Sequence, residues 1–195
     1  MSQRNAEFEA VASLVPVGSR VLDLGCGGGA MLEHLQSVKG CSGYGVEIAD
    51  DNVLECTRRG VNVVQLNLEE GLALFDDKSF DVVLQLQTLQ NLRNTEHMLR
   101  ETARVGRIGI VSFPNFAHWP NRLSVLRGRM PVTRDLPYQW YDTPNIRVGT
   151  YADFEVLARR MGLQILDSFG LRGGQVVRRW PNLTASAAVF KFERA

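Results

Sequence analysis

Asp23-Leu24-Gly25-Cys26-Gly27-Gly28-Gly29 is the stretch from which the fold of this chain can be read. It opens inside a short apolar run, Val21-Leu22-Asp23-Leu24, which predicts a buried strand. The glycines that follow permit a tight turn and close approach of a ligand to the backbone. Downstream, Met31, Leu35 and Val38 recur at helical spacing, with Gly40 placed to end the helix. Strand, glycine turn and helix together make the first half of a βαβ unit. In open α/β sheets the ligand lies outside the carboxyl ends of the strands, where strand order reverses, and the first strand stands at that point.

The same rhythm continues outward. Tyr44-Gly45-Val46-Glu47-Ile48 predicts a second strand, with Asp50 as cap of the next helix and Gly60 as its end. Val61 to Leu66, Phe80 to Gln85 and Ile108 to Phe113 predict three more strands. Asn94 precedes a helix whose inward face carries Met98, Leu99 and Thr102. Alternating strands and helices imply a mainly parallel sheet with right-handed crossovers. On the amino-terminal side, Phe8, Val11, Leu14 and Val15 predict an opening amphipathic helix. After the fifth strand the rhythm breaks. Residues 114–150 contain Pro114, Pro120, Pro131, Pro137 and Pro144, with room for a short helix over 121–126. Thr150-Tyr151-Ala152-Asp153 has the form of a capping box, opening a helix that stops at Gly162. Two last strands are expected near 163–169 and 184–192. The expected organisation is one domain over 1–195 with an insertion at 114–150.

Composition narrows the classes of function. The formal net charge is +1, and 45% of residues are hydrophobic, enough for a large core. Such a balance gives no overall attraction to nucleic acid or to an anionic membrane. The basic residues are locally concentrated: no Asp or Glu occurs over 102–133, which holds Arg104, Arg107, Arg122, Arg127 and Arg129. No nucleic-acid-binding motif accompanies them. The three cysteines, Cys26, Cys41 and Cys56, form no CxxC pair, and no two histidines have metal-ligand spacing. The amino terminus, Met1-Ser2-Gln3-Arg4, has no apolar signal core, and no run is long enough for a membrane span. A cytoplasmic protein without a metal is expected.

The turn also fits a loose dinucleotide fingerprint through Gly25, Gly27 and Ala30, a weak pattern by itself. Asp23 argues against a dinucleotide. A pyrophosphate at the following helix would meet a carboxylate, whereas S-adenosylmethionine carries an ammonium and a sulfonium and no phosphate. Glu47, at the second strand's end, can accept from ribose hydroxyls of either cofactor, so it does not discriminate. Cys26 lies near a helix amino terminus, which can lower a thiol pKa, but the simpler reading is a small residue in a crowded turn.

At these residues the chain resembles class I methyltransferases: the DxGxGxG turn, the acidic end of the second strand, Phe80-Asp81-Val82-Val83, and a closing antiparallel pair. That resemblance implies a seven-stranded, Rossmann-like α/β sheet of order 3-2-1-4-5-7-6 with helices on both faces. Gln87-Thr88-Leu89-Gln90, Val111-Ser112-Phe113-Pro114-Asn115-Phe116, Gly128-Arg129-Met130-Pro131-Val132 and the run from Leu136-Pro137-Tyr138-Gln139-Trp140 to Tyr141-Asp142-Thr143-Pro144-Asn145-Ile146 resemble the methionine biosynthesis protein W (MetW) family. The resemblance implies a role in making methionine from homoserine, beside a homoserine O-acetyl- or O-succinyltransferase. It further implies S-adenosylmethionine or S-adenosylhomocysteine as cofactor, with Asp23, Gly25, Cys26, Gly27 and Gly29 around its methionine part. Glu47 would hold the ribose, Ile48 would lie against the adenine, and Asn67 and Leu68 would approach the adenine edge, with Gln85 close to the site. Asn67 stands where many relatives carry Asp, and Asn91 where small-molecule methyltransferases often carry His.

No catalytic residue is assigned. Methyl transfer needs alignment and desolvation more than a base. Gln85, Gln87, Asn115 and Tyr141 are the polar residues expected near the transferred methyl group; Gln87 and Asn115 could orient an acceptor or satisfy strand-end backbone groups. In the insertion, Trp119, Arg129, Tyr138, Trp140, Tyr141 and Asn145 combine aromatic and polar character typical of interface anchors. A partner surface, an active-site lid and plain packing all remain open for them. Exposure of the aromatics would favour a partner.

Overall fold

The computed structural model describes residues 3–195; Met1 and Ser2, part of the amino-terminal stretch read above, lie outside the described residues. The elements are α1 (Gln3–Ala12), β1 (Arg20–Leu24), α2 (Ala30–Lys39), β2 (Ser42–Glu47), α3 (Asp50–Arg58), β3 (Val63–Gln65), β4 (Phe80–Leu86), α4 (Thr95–Val105), β5 (Gly106–Pro114), α5 (Trp119–Leu126), α6 (Tyr151–Arg160), β6 (Leu163–Arg172), β7 (Gln175–Val177), α7 (Pro181–Thr184) and β8 (Ala187–Arg194). They form one eight-stranded sheet of order β3-β2-β1-β4-β5-β8-β6-β7. The first five strands pair in parallel, and β8 runs antiparallel to both β5 and β6.

Without β7 the order is the expected seven-strand order, so the correction is one added edge strand. β7 pairs antiparallel with β6 across Gly173 and Gly174, both with positive φ. Its three residues are too few to show a period. The last strand begins at Ala187 rather than Thr184, because Pro181–Thr184 is a helical turn.

Strand alternation divides the core. Val21, Val82, Leu84, Ile110 and Val189 pack on the face covered by α1, α2 and α3. Leu22, Leu24 and Val83 pack under Met98 and Val105 of α4, while Val111, Phe113, Phe190 and Phe192 pack under α4 and α6. Local signals set several helix ends. Asn94 accepts from the His97 amide, Thr150 from the Asp153 amide, and Gly40 ends α2 at φ 61°. Three local expectations fail. Helix α1 stops at Ala12, so Leu14 and Val15 are buried beyond it rather than on its face. Val38 is exposed, because Met31, Leu32 and Leu35 already form the inward face of α2. Asp50 does not cap α3: the cap position is Ala49, and Asp50 accepts instead from the Gln65 side-chain amide.

One packing contact is tight enough to test. A Cβ on Gly109 of β5 would stand 2.4 Å from the Phe192 ring on β8. Gly109→Ala is therefore expected to lower stability by about 1–3 kcal/mol, as overpacked cores do, in urea unfolding.

Residues 115–150 leave the sheet between β5 and α6. The base of this segment is clasped by an Asn115–Gly149 bridge. The Ile146 and Arg147 amides both donate to the Gln90 carbonyl, and the Arg147 guanidinium donates to the Arg93 carbonyl. No helix among the described residues is long and apolar enough to cross a membrane.

Candidate functional site

The site is built at the carboxyl ends of β1 and β2. The amides of Gly25 and Cys26 both donate to the Val46 carbonyl, at 2.8 and 3.1 Å, so the turn after β1 docks onto β2. Gly25, Gly27 and Gly29 have φ of 73°, 55° and 76°, left-handed values that glycine adopts without penalty. At Gly25 there is also no room, since a Cβ would stand 2.6 Å from the Thr88 hydroxyl oxygen. That hydroxyl donates to the Leu24 carbonyl at 2.9 Å, which fixes Thr88 under the turn. Gly25→Ala combines strain with this clash and is expected to cost about 2–4 kcal/mol in thermal or urea unfolding. Gly27 is different: nothing lies within 4 Å of its missing side chain, so the space before it is open.

Two carboxylates flank that space. Glu47 is 9% exposed. Its Oε2 accepts from the Gly27 amide at 2.9 Å, and its Oε1 from the amides of Ile48 and Ala49 at 2.8 and 3.0 Å. The side chain thereby ties the turn to the start of α3. Asp23 is 2% exposed, and its Oδ1 has no hydrogen-bond partner. Burial, and then the charge of Glu47, push its pKa up to about 7. A buried carboxylate with an unmet oxygen beside a second carboxylate is a site that a cation would relieve.

The other expected residues divide between the site and elsewhere. Ile48 follows Glu47 with its apolar side chain 59% exposed, open to stacking. The Leu66 amide donates to the Glu47 carbonyl, which brings the following residues alongside. There Asn67 accepts from the Glu69 amide through Oδ1, while the Leu68 side chain turns into the core beside Leu22 and Leu24. Leu68 therefore presents backbone rather than side chain. Cys26 packs behind the turn, against Gly45. Burial pushes its thiol up, the opposite of what a nearby helix terminus alone would do. Gln85 is not brought to the turn. Asp23 pairs in register with Leu84, so Gln85 points to the opposite face of the sheet, where its amide donates to the Thr102 hydroxyl.

The polar residues expected near the methyl group also separate. Asn115 is fully buried: its amide nitrogen donates to the carbonyls of Pro181, Asn182 and Ala185, and its oxygen accepts from the amides of Ala117 and Tyr151. Structure consumes it. Gln87 is exposed at the end of β4, with a left-handed φ of 57°. Among the insertion residues, Trp119, Arg129 and Tyr138 are exposed. Trp140 and Tyr141 are 72% and 71% exposed and meet edge to face at 5.7 Å. Asn145 lines a cavity of about 280 Å³ between the insertion, the end of β5 and α6, walled by Leu89, Phe113, Phe116 and Phe154. Sequence reasoning missed Thr88 as the support of Gly25; its only signal was its place just after the fourth strand.

This geometry, a glycine turn and acidic strand ends on a 3-2-1-4-5-7-6 sheet, is that of the class I S-adenosylmethionine-dependent methyltransferase fold. A Thermotoga maritima S-adenosylmethionine-dependent methyltransferase, described as a possible histamine N-methyltransferase, superposes with a TM-score of 0.73 at 20% identity, over 99% of this chain and 91% of that one. A putative methyltransferase in complex with the Haloferax volcanii Trm112 activator matches with a TM-score of 0.71 at 16% identity, over 97% of this chain and 89% of the other. More specifically, the model of the methionine biosynthesis protein MetW family matches residues 5–192, and the chain belongs to that family. A bifunctional methionine biosynthesis protein MetXA/MetW of Rhodopirellula baltica is 36% identical over 97% of this chain. The chain spans only 33% of that relative's length.

Proposed function

We propose that this protein acts in methionine biosynthesis as an S-adenosylmethionine- or S-adenosylhomocysteine-binding partner of a homoserine O-acyltransferase, which it activates, stabilises or regulates. The observation that carries the partner reading is the insertion: clasped at its base, yet presenting Trp140 and Tyr141 to solvent. Large exposed aromatics on a held segment are the usual anchors of a protein interface. The MetXA/MetW relative, which joins two named activities in one chain, is consistent with such a pairing.

The turn fits the cofactor on its own chemistry. Asp23 would face the ammonium, Glu47 would accept from a ribose hydroxyl through the lone pair left on Oε2 while still holding the Gly27 amide, and Ile48 would cover the adenine. Asn67 keeps a free lone pair on Oδ1 beyond the one that caps Glu69, so it can still meet the adenine amino group. When bound, S-adenosylmethionine would supply an activated methyl group. The chain's own part is to neutralise charge at Asp23, orient the nucleoside and exclude water.

The test is co-purification with a homoserine O-acyltransferase, with and without S-adenosylmethionine, read with the acyltransferase's rate and melting temperature. A stable complex that alters either is expected; no complex and no effect would sink the reading. A second reading, methyl transfer to a small molecule, is favoured by Gln87. It is held in a strained conformation and exposed where an acceptor would approach, and such strain clusters at functional sites. A metabolite extract that yields no methylated product from protein that binds the cofactor would dispose of it.

A further inference from the structure

Cys26 and Cys56 come from the turn and from the last turn of α3, and their sulfurs stand 3.8 Å apart. Both face the same oxygen. The Cys56 thiol donates to the Gly27 carbonyl at 3.1 Å, and the Cys26 thiol reaches it at 3.5 Å. Cys26 is half-buried and Cys56 fully buried, so Cys26 is the sulfur a small reagent meets first. Gly45 makes the room for this arrangement: a Cβ there would stand 2.3 Å from the Cys26 sulfur. Cys41 is elsewhere, donating to the Pro16 carbonyl.

We infer that Cys26 and Cys56 form a reversible disulfide under a peroxide-class oxidant, and that the link displaces the cofactor turn and loosens its acidic clamp. The inference rests on the cofactor reading above. A peroxide oxygen first takes the Cys26 sulfur to sulfenic acid, releasing one water. The Cys56 sulfur then attacks the Cys26 sulfur and a second water leaves. Two thiols lose two electrons and two protons, and one peroxide is reduced to two waters. Closing from 3.8 Å to a bond of about 2.05 Å draws the turn toward α3. It also removes both thiol donors from the Gly27 carbonyl. The same residue's amide holds the Glu47 carboxylate at 2.9 Å, so the shift loosens the acidic clamp. By linkage, a bound nucleoside that needs the turn in place opposes the disulfide. Burial beside Asp23 and Glu47 keeps both thiols protonated, so the link forms slowly and reports sustained oxidation rather than brief exposure.

The experiment treats the full chain with hydrogen peroxide, maps disulfides by peptide mass spectrometry, and titrates S-adenosylhomocysteine before treatment, after it, and after reduction by dithiothreitol. A Cys26–Cys56 link is expected, with a mass loss of two hydrogens, affinity lower by about tenfold or more, and recovery on reduction. Hydrogen exchange at the Gly27 amide should quicken in the linked protein, a readout that needs no ligand. Cys41→Ser should still form the link. Cys56→Ser should form none, and its affinity after peroxide should equal its own affinity before. No link between these two cysteines at full oxidation, or a linked protein whose turn exchanges and binds as the reduced one does, overturns the inference. A reduced protein that ignores S-adenosylhomocysteine sinks the cofactor reading alone, since the link and the exchange rate are still measured.

Discussion

Asp23→Asn is expected to weaken nucleoside binding by about tenfold or more while making the free protein more stable. The two effects have one cause. Asp23 is buried and lies beside Glu47, so its ionised form is disfavoured in the folded chain and its pKa rises from the ordinary 3.8 to about 7. A carboxyl whose folded pKa is raised binds its proton more tightly folded than unfolded. Stability is therefore lost as pH climbs from about 4 to about 7, and the loss is complete above that. The displacement corresponds to at most about 4 kcal/mol, and local relaxation reduces it, so a gain of roughly 2 kcal/mol at pH 8 is expected for the uncharged amide. At pH 4 the gain should nearly vanish. Binding should run the other way. A cationic ligand prefers ionised Asp23, so wild-type affinity for S-adenosylmethionine should rise about tenfold from pH 6 to pH 8 and then level off. The asparagine variant should bind weakly at every pH. Calorimetric titrations and melting curves at the three pH values decide it; a variant that binds normally would remove the charge argument.

Trp140→Ala together with Tyr141→Ala is expected to weaken the complex with the acyltransferase by about 100-fold or more, without unfolding the chain. Interface aromatics of this kind commonly cost about 2 kcal/mol or more each when truncated, and about 1.4 kcal/mol is tenfold. The two rings meet each other edge to face at 5.7 Å. Both are exposed, so the melting temperature should move little. Affinity for S-adenosylhomocysteine should be unchanged, which separates a partner surface from a lid closing on the cofactor. Unaltered affinity for the acyltransferase would move the partner surface elsewhere.

The reach of sequence reasoning differs between neighbouring residues. The turn was legible because its requirements are local: three glycines at alternate positions, each adopting positive φ. The caps at Asn94 and Thr150 were legible for the same reason. The sequence places Gln85 near the site, whereas its side chain faces the opposite side of the sheet. Side chains alternate along a strand, so one step in the pairing of β4 with β1 decides the face, and that register is set by packing rather than by the residue itself. Asn115 and Gln87 were equal candidates. The carboxyl-terminal residues Pro181, Asn182 and Ala185 bury and bond Asn115, and nothing near Asn115 in sequence announces them.

By itself, then, the sequence determined the strand-turn-helix at 23–29, the parallel alternation around it, and the acidic character of the two strand ends, because each depends on residues within a few positions of one another. Tertiary structure alone decided which carboxylate is clamped and which is left unmet, which amides are used up, that two cysteines thirty positions apart share one carbonyl, and that Trp140 and Tyr141 stand in solvent. These depend on distances between segments remote in the chain, and such distances follow from how the layers pack.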